Sequence, residues 1–274
     1  MFDPKKPINR KQRILAVANQ KGGVGKTTTV INLATALAAI KQRVLIIDLD
    51  PQGNASTGLG VLPKDREIDT YKVLIGENNI KKAVRETEIL NLSIIPSSLD
   101  LYGAEVELIE FSRREFQLQD SLTDCLDLFD YVLIDCPPAL GLLTVNALVA
   151  AHAVLVPLQC EFYALEGISQ LVSTIERIRA VFNPNLNIQG IVLTMYDKRN
   201  NLTEIVEKDV RAHFGEKVYK TVIPRNVRVS EAPSFGKPVL LYDISCSGSK
   251  AYLSLAGEVI HREKTWGING RKKE

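Results

Sequence analysis

The sequence predicts a single α/β domain in which helices cover both faces of a mostly parallel sheet. Short apolar runs alternate along the chain with longer amphipathic stretches, and these runs are rich in Val, Ile and Leu without polar alternation. Such runs are typical of strands buried on both faces, and their alternation with helices indicates crossover connections between parallel strands. No internal repeat, linker or low-complexity tract divides the 274 residues.

Each element is predicted from its own periodicity. The apolar runs predict strands at residues 14–18, 44–47, 92–95, 131–134, 153–156 and 188–193. The amphipathic stretches between and after them predict helices at residues 28–40, 101–128, 142–150, 164–182, 202–214 and 249–262. We therefore expect one folded domain over residues 13–262, preceded by a basic, mobile segment at 1–12 and followed by a basic tail at 263–274.

Composition excludes several classes of protein. Hydrophobic residues make up 45% of the chain and charged residues 24%, which is ordinary for a globular domain and excludes wholesale disorder or a collagen-like fold. The four cysteines form no C-x-x-C pair, which disfavours zinc fingers and redox dithiols. The sequence contains neither an apolar run of about 18 residues nor an apolar signal region, so it predicts a cytoplasmic protein.

Charge is unevenly distributed along the chain. The formal net charge is only +2, but residues 1–194 carry 19 Lys and Arg against 22 Asp and Glu. Residues 195–274 carry 15 basic residues against 10 acidic ones. A basic C-terminal third is compatible with nucleic-acid binding and equally with an ordinary solvated surface.

A glycine-rich loop lies between the first predicted strand and the first predicted helix. Its residues are Gly22, Gly23, Val24, Gly25, Lys26, Thr27 and Thr28. Glycines let successive backbone N–H groups converge on phosphate oxygens, and the following helix adds the positive end of its dipole. In this pattern Lys26 reaches the β- and γ-phosphates and the Thr27 hydroxyl binds Mg²⁺. The loop predicts a nucleotide site that uses ATP and Mg²⁺, and a glycine-rich turn that binds nothing is the alternative.

Three aspartates follow apolar strands. Asp48 and Asp50 lie in RVLIIDLDPQGN, and Asp135 lies in YVLIDCPP. Carboxylates at i and i+2 share a strand direction, so Asp48 and Asp50 are both expected to face a magnesium nucleotide at the carboxyl edge of the sheet. Asp135 suits the Walker B role of holding Mg²⁺ directly or through water. A turn or capping role is the alternative for Asp48 and Asp50.

The phosphate loop departs from the standard G-x-x-x-x-G-K-[ST] pattern. Gln20 stands where that pattern has glycine, and Lys21 follows it. The resulting K-G-G-x-G-K-[ST] loop resembles the deviant loop of the ParA/MinD group of P-loop ATPases. The resemblance covers residues 13–262 and implies a P-loop NTPase domain that forms a homodimer with ATP.

The same resemblance implies roles for the charged residues around the loop. Lys21 would reach across the dimer interface to the partner subunit's phosphates, and Asp50 would position or activate the attacking water. Lys21 and Asp50 are thus the implied catalytic residues. Asp48 would lie close to the metal, so the implied metal-binding residues are Thr27, Asp48 and Asp135.

The segment 222–238, VIPRNVRVSEAPSFGKP, is similar to the chromosomal ParA branch, also called Soj, as are DPQGN and IDCPP. The resemblance implies that Pro224 and Asn226 contact the adenine base, although both are also common turn residues. It further implies that Arg199 and Arg228 contact DNA. An ordinary exposed arginine is the alternative for each.

The function implied by the resemblance is an ATP-driven switch. ATP would close two subunits face to face, and the closed dimer would bind double-stranded DNA without sequence preference. Hydrolysis, slow in the protein alone, would be accelerated by a ParB-type centromere-binding partner and would release the DNA. This implies a nucleoid-associated ATPase that segregates chromosomes or plasmids.

Other proteins on the same fold are the alternatives. A MinD-like ATPase would bind membranes through a basic amphipathic C-terminal helix, but Gly267 and Gly270 interrupt the tail, so we expect no membrane partner. A nucleoid-based ATPase that positions another cargo shares every motif above. An electron-transfer ATPase of the nitrogenase iron protein type would need suitably placed cysteines, and buried packing is favoured for Cys136. A small-molecule ligase of the dethiobiotin synthetase kind would need a substrate pocket that the sequence does not reveal.

Overall fold

The structure, a computed structural model, describes residues 12–266. Its strands are β1 (Arg13–Val17), β2 (Val44–Asp48), β3 (Arg85–Glu86), β4 (Leu92–Ile95), β5 (Tyr131–Asp135), β6 (Ala153–Gln159), β7 (Asn187–Tyr196) and β8 (Val218–Pro224). They form one sheet in the spatial order β3-β4-β2-β5-β1-β6-β7-β8. Neighbouring strands run parallel except β3 and β4, which pair antiparallel. The predicted α/β class with a mostly parallel sheet is confirmed.

Helices cover both faces of this sheet. They are α1 (Lys26–Ala39), α2 (Asn54–Gly58), α3 (Thr70–Leu74), α4 (Ile80–Ala83), α5 (Leu101–Glu107), α6 (Gln117–Leu122), α7 (Leu142–Ala150), α8 (Ala164–Val181), α9 (Asn201–Phe214), α10 (Val227–Glu231), α11 (Val239–Tyr242) and α12 (Ser247–Trp266). Alternate residues of β1 enter different apolar cores: Leu15 and Val17 pack with α1 and α12, whereas Ile14 and Ala16 pack with α7 and α8. The strand period of two therefore distributes the apolar side chains between two layers of helices.

The sequence prediction missed two strands, both at the edges of the sheet. β8 contains Lys220 and Thr221 among its apolar residues and is only partly buried, so it lacks the continuous apolar run that marks the central strands. β3 is two residues long, which is too short to leave a pattern. Three predicted strands begin at the predicted residue and extend further: 44–47 reaches Asp48, 131–134 reaches Asp135, and 153–156 reaches Gln159.

The single helix predicted at 101–128 is wrong. The chain there forms α5, a 3-10 turn at Leu108–Glu110, α6 and a second 3-10 turn at Leu126–Leu128. Arg113 adopts a left-handed φ of 56°, which no α-helix accommodates. Asn146 of α7 supports the break, because its side chain accepts from the Leu118 N–H at 3.2 Å and donates to the Arg114 carbonyl at 2.8 Å.

The ends of the described chain bear on the predicted domain limits. Of the predicted segment 1–12, only Gln12 lies within the described residues, and the tail from residue 267 lies outside them. α12 continues to Trp266, so the predicted limit at residue 262 falls inside this helix. Glu263, next to that limit, forms an ion pair of 2.8 Å with Arg13 at the start of β1. None of the helices between residues 12 and 266 combines the length and apolarity needed to cross a membrane.

Candidate nucleotide site

The candidate site lies where β1, β2 and β5 end. These strands are central neighbours in the sheet, and Asp48 at the end of β2 lies opposite Asp135 at the end of β5. Val17, the last residue of β1, also lies opposite Asp135. The loops that follow three parallel strands therefore emerge together at the carboxyl edge of the sheet, where open α/β sheets bind ligands.

The phosphate loop connects β1 to α1. Gly23 and Gly25 adopt φ values of 76° and 86°, a left-handed conformation that L residues with side chains rarely adopt. Val24 between them is buried, and its carbonyl accepts a hydrogen bond of 2.8 Å from the Thr194 hydroxyl of β7. Glycine is thus needed here for backbone conformation, and the neighbouring strand fixes the loop's position.

The loop forms one wall of a cavity of about 590 Å³. Predicted site residues that line it are Gly22, Gly23, Gly25, Lys26, Thr27, Thr28 and Asp50. Predicted residues absent from its lining are Lys21, Val24, Asp48, Asp135, Pro224 and Asn226. The cavity is large enough for a nucleotide-sized ligand, and most of the phosphate-loop residues face it.

Lys26 begins α1 and is almost completely buried beside the cavity. Its ammonium group donates a hydrogen bond of 2.9 Å to the carbonyl of Lys21. Burial lowers the pKa of Lys26, and the nearby carboxylates of Asp135 and Asp50 oppose that shift. A lysine held in this way presents a cation at the phosphate loop with few donors committed to other groups.

Asp135 is the main candidate for holding a cation. It is fully buried, and neither of its carboxylate oxygens has a hydrogen-bond partner of normal geometry among the described residues, although Thr27 lies near enough to favour the ionised form. Burial and the charge of Asp48 raise the pKa of Asp135 well above its ordinary value. A buried carboxylate without partners is unfavourable unless a proton or cation satisfies it, so the residue suits a Mg²⁺ ion.

Asp48 has a different environment from Asp135. Its carboxylate accepts hydrogen bonds from the backbone N–H and the hydroxyl of Ser56, at 2.8 and 2.6 Å, and from the Asp50 N–H at 3.3 Å. Burial nevertheless raises the pKa of Asp48 to about 6. These bonds hold α2 against the end of β2, which matches the turn-shaping alternative. The metal-binding role of Asp48 stays a prediction.

Asp50 faces the cavity, as the resemblance implies for the residue that positions water. One carboxylate oxygen accepts a hydrogen bond of 3.0 Å from the Gln52 N–H. The backbone carbonyl of Asp50 accepts one of 2.7 Å from the Ser97 hydroxyl. The side chain is therefore fixed within its loop while its remaining acceptor sites stay available to a ligand.

Lys21 begins the K-G-G-x-G-K-[ST] loop, and its side chain is about half exposed. Its ammonium group forms an ion pair with Glu161, which follows β6. The side chain is outside the lining of the cavity in its own subunit, whereas the Lys26 side chain is inside. The two lysines of the motif thus occupy different positions relative to the site.

The predicted adenine contacts are not part of the cavity. Pro224 ends β8, and Asn226 caps α10 by accepting hydrogen bonds from the N–H groups of Arg228 and Val229 at 2.9 and 3.3 Å. The amide of Asn226 also donates to the Ser247 hydroxyl at 2.9 Å. These contacts account for an asparagine at this position without a nucleotide, and the adenine role stays a prediction.

The two predicted DNA-binding arginines are exposed and lie outside the cavity. Arg199 is 88% exposed and forms an ion pair of 2.9 Å with Asp197 in the loop before α9. Arg228 is 53% exposed and forms ion pairs with Glu231 at 3.0 Å and Asp243 at 3.7 Å. Both guanidinium groups are therefore accessible to a macromolecule. Neither side chain is buried, so packing inside the subunit does not account for an arginine at either position.

Sequence reasoning missed several residues that line the cavity. The missed residues are Pro51, Gln52, Asn54, Tyr102, Glu105, Pro137, Pro138, Ala139, Leu143 and Met195. Pro137 and Pro138 directly follow Asp135, so the motif itself gave a signal for them. Tyr102 and Glu105 gave none, because they belong to the region where a long helix was predicted. In the structure the Tyr102 hydroxyl accepts a hydrogen bond of 2.7 Å from the Gln52 amide.

A second cavity of about 290 Å³ adjoins the first. The two share Thr27, Thr28 and Asn54, and the second continues between α1 and the segment 232–239. The open volume beside the first residues of α1 therefore continues past the phosphate loop to the segment 232–239.

The donor set fits a magnesium nucleotide better than a bare metal ion. Between residues 12 and 266, His, Cys, Asp and Glu side chains form no group of three that could hold a metal. Mg²⁺ commonly takes one or two protein ligands and completes its coordination with substrate phosphates and water. The partnerless carboxylate of Asp135 and the cavity-lining Thr27 match that requirement. The fold and this site define a P-loop nucleoside triphosphatase.

Comparisons with known proteins agree with that class. A family model described as an AAA domain matches residues 12–188. The chain is 63% identical over 254 residues to the chromosome partitioning protein ParA of Caulobacter vibrioides, which covers 92% of this chain and 95% of that protein. It is 50% identical over 247 residues to the sporulation initiation inhibitor protein Soj of Bacillus subtilis, covering 90% of this chain and 98% of that protein.

Two solved structures are similar to this chain in fold over nearly its whole length. Cobyrinic acid a,c-diamide synthase from Mycobacterium smegmatis, with bound ADP and magnesium, aligns with a TM-score of 0.83 and 36% identity over 96% of this chain and 100% of that one. The cell division ATPase MinD of Pyrococcus furiosus aligns with a TM-score of 0.76 and 28% identity, over 92% of this chain and 99% of that one. The chain belongs to the ParA/Soj family of P-loop ATPases, which use ATP and Mg²⁺.

Proposed function

We propose that this protein is an ATP-dependent dimerisation switch that binds double-stranded DNA without sequence preference. In this proposal it hydrolyses ATP to segregate chromosomes or plasmids with a ParB-type partner. The observation that carries the proposal is the arrangement of the two loop lysines: Lys26 lines its own cavity, whereas Lys21 lies outside the lining, half exposed and paired with Glu161. The ParA and Soj relatives, which are named for chromosome partitioning and the control of sporulation, support the same direction.

ATP binding depends on the phosphate loop. The backbone N–H groups around Gly23 and Gly25 and the ammonium group of Lys26 bind the phosphates, and Thr27 and Asp135 hold Mg²⁺. Held by these two residues, Mg²⁺ would supply positive charge that offsets the charge of the phosphates. The Asp135 carboxylate, unpaired in the structure, gains the cation that its burial requires.

Hydrolysis depends on Asp50. Its carboxylate faces the cavity and orients the attacking water by accepting a hydrogen bond from it. The Gln52 N–H and the Ser97 hydroxyl hold the residue in place while it does so. Turnover by the isolated subunit is slow because the site lacks the partner subunit's lysine.

Dimerisation completes the site. Lys21 leaves its ion pair with Glu161 and binds the partner's phosphates, so the bound triphosphate holds the two subunits together. An exposed ion pair of this kind contributes about 1 kcal/mol or less, which is a small barrier to the exchange. Loss of the γ-phosphate removes part of the contact, and the dimer then opens.

DNA binding follows from dimerisation. The closed dimer presents Arg199 and Arg228 of both subunits on one surface, where they bind phosphates rather than base edges. Phosphate contacts carry no sequence information, so we expect binding to any duplex, including the nucleoid. Because ATP favours the dimer and DNA binds the dimer, ATP and DNA each raise the affinity for the other.

The test is binding of a fluorescent random-sequence duplex with ATP, with ADP and without nucleotide, across a salt series. We expect tight, salt-sensitive binding with ATP alone. Absence of binding in all three states, in a protein that still hydrolyses ATP, would overturn the DNA-binding switch. Vesicles of anionic phospholipid serve as a second ligand, because ATP-dependent binding to them would support the MinD-like alternative instead.

A further inference from the structure

A buried cation lies behind the loop that carries Asp50. Arg66 is only 8% exposed, and its guanidinium group donates hydrogen bonds to the Val61 carbonyl at 2.8 Å, the Ser97 carbonyl at 2.9 Å and the Thr57 hydroxyl at 2.8 Å. Among residues 12–266 no carboxylate oxygen lies within ion-pair distance of it. Burial lowers the pKa of Arg66, and the charges of Asp48 and Asp69 oppose that shift without either carboxylate bonding to the guanidinium group. A buried charge whose hydrogen-bond acceptors are all neutral is unfavourable for stability, so its position calls for another explanation.

Arg66 packs directly against the Asp50 loop. A Cβ atom at Gly53 would overlap the guanidinium group and approach the Ser97 carbonyl to 3.0 Å, so only glycine fits there. Gly53 has a left-handed φ of 61°, and its N–H donates to the Asp50 carbonyl at 2.9 Å. The guanidinium group therefore packs against the turn that follows Asp50.

Ser97 joins Arg66 to the site. Its carbonyl accepts from Arg66, and its hydroxyl donates to the Asp50 carbonyl at 2.7 Å. Its N–H donates to the Ser56 hydroxyl at 3.0 Å, and that hydroxyl in turn donates to the Asp48 carboxylate. Ser97 thus bonds directly to Asp50 and, through Ser56, to Asp48. Its own carbonyl is held by the buried guanidinium group.

We infer that Arg66 and Ser97 are positioning residues for ATP hydrolysis: together they fix the backbone of Asp50 so that its carboxylate faces the attacking water. Neither residue lines the cavity, so neither touches the nucleotide. The inference rests on the proposed role of Asp50. It explains why a charged residue stands where an apolar residue would be easier to bury, because three acceptors in different directions suit a planar donor with a forked geometry.

The experiment compares Ser97→Ala with Asp50→Ala and with Thr35→Ala. Thr35 is a matched control, because its hydroxyl is also buried and also donates to a backbone carbonyl, that of Ile31 at 2.8 Å, but it lies within α1. For each variant, kcat and KM for ATP, affinity for a fluorescent ATP analogue and the thermal midpoint are measured. We expect Ser97→Ala to lower kcat about 10-fold with nucleotide affinity within about 2-fold of wild type, and Thr35→Ala to leave kcat unchanged.

Two results would overturn the inference, and they are distinguishable. If Asp50→Ala abolishes hydrolysis while Ser97→Ala retains wild-type kcat, the positioning role fails and the proposed function stands. If Asp50→Ala itself retains wild-type turnover, the proposed role of Asp50 fails and the positioning role fails with it. A loss of kcat in Thr35→Ala equal to that in Ser97→Ala would also overturn the inference, because general destabilisation would then explain both.

Arg66→Lys tests the positioning role of Arg66. Lysine keeps the charge but cannot serve the three acceptors with one planar group, so we expect kcat to fall about 10-fold. If both residues act through Asp50, the double variant Arg66→Lys/Ser97→Ala loses no more than the worse single variant. Fully additive losses would show that Arg66 and Ser97 act by separate routes and would overturn their joint role.

Discussion

The phosphate-loop region and the exposed positions of the two predicted DNA-binding arginines are built in opposite ways. Around the loop, the charged side chains of Lys26, Asp48 and Asp135 are buried. The loop itself is held from far along the chain, because the Thr194 hydroxyl bonds to the Val24 carbonyl. Arg199 and Arg228 are exposed, and their ion-pair partners lie nearby in sequence or on the surface. Substitutions should therefore have large, localised effects in the first region and small, salt-dependent ones in the second.

Lys26→Ala should have the largest effect. The variant loses the buried cation that we propose binds the phosphates, so we expect ATP affinity to fall about 1000-fold, or about 4 kcal/mol. Isothermal titration with a non-hydrolysable ATP analogue measures it. Lys220→Ala, which removes an exposed lysine of β8, is the control and should bind normally. Retained affinity in Lys26→Ala would remove the phosphate-loop assignment.

Asp50→Ala should come next. Without the carboxylate that orients the water, we expect kcat for ATP hydrolysis to fall about 100-fold while ATP still binds and the dimer persists longer. Phosphate release and dimer lifetime are the measurements. The control is Asp65→Ala, at an exposed aspartate. Turnover at the wild-type rate in Asp50→Ala would contradict the assignment.

Asp48→Asn tests whether burial controls ionisation in the loop region. Because the pKa of Asp48 is raised to about 6 in the folded protein, the carboxyl group is bound to a proton more tightly than in the unfolded chain. Its contribution to the free energy of unfolding is thus present below the ordinary pKa and is lost as pH rises towards 6. Between pH 4 and pH 7 we expect the wild type to lose about 2 kcal/mol more than Asp48→Asn in urea unfolding.

The exposed region should behave in the opposite way. Hydrogen bonds from Arg199 lower the pKa of Asp197 to about 2, so this carboxyl group is already ionised at pH 4. Between pH 4 and pH 7 the Asp197→Asn variant should therefore lose as much free energy of unfolding as the wild type. Asp197→Asn is therefore the control for Asp48→Asn. Identical pH profiles for the wild type and Asp48→Asn would show that the buried carboxyl group does not titrate in this range.

Lys21→Ala should separate nucleotide binding from dimerisation. The residue is outside its own cavity, so we expect ATP affinity to be retained and the dimer formed with a non-hydrolysable analogue to weaken about 10-fold. Sedimentation velocity measures the dimer, and Lys64→Ala is a control at an exposed lysine. An unchanged dimer affinity in Lys21→Ala would rule out the contact across the interface.

Arg199→Ala and Arg228→Ala should have the smallest effects. Each would remove one proposed, screened phosphate contact per subunit, so we expect DNA affinity to fall about 3-fold to 5-fold and the salt dependence to become shallower, with ATP binding unchanged. Anisotropy titrations across a salt series measure both. Arg177→Ala, at an exposed arginine of α8, is the control. A parallel loss in all three variants would indicate a diffuse basic surface rather than two specific contacts.

The same contrast explains which features the sequence could predict. The central strands were predicted correctly in position, because each depends on a short pattern of neighbouring residues. The glycine-rich loop and Asp50 lie at one cavity, as such patterns led us to expect, and their roles there stay predictions. The predicted helix at 101–128 failed, because its break depends on Asn146 of α7, which bonds Leu118 across 28 residues of chain. Tyr102 entered the site unpredicted for the same reason, since its contact with Gln52 joins residues 50 apart.

The sequence by itself determined the layered α/β fold and the conformation of the glycine-rich loop. Glycine conformations, apolar periodicity and the order of lysine and threonine act over a few residues, so a linear pattern encodes them. Only the tertiary structure decided that, among the described residues, the Asp135 carboxylate has no hydrogen bond of normal geometry while Asp48 is bound by Ser56. It also decided that Arg66 bonds to the Ser97 carbonyl behind Asp50. Burial and hydrogen bonding of charged groups depend on which distant segments meet, and that is settled only when the chain folds.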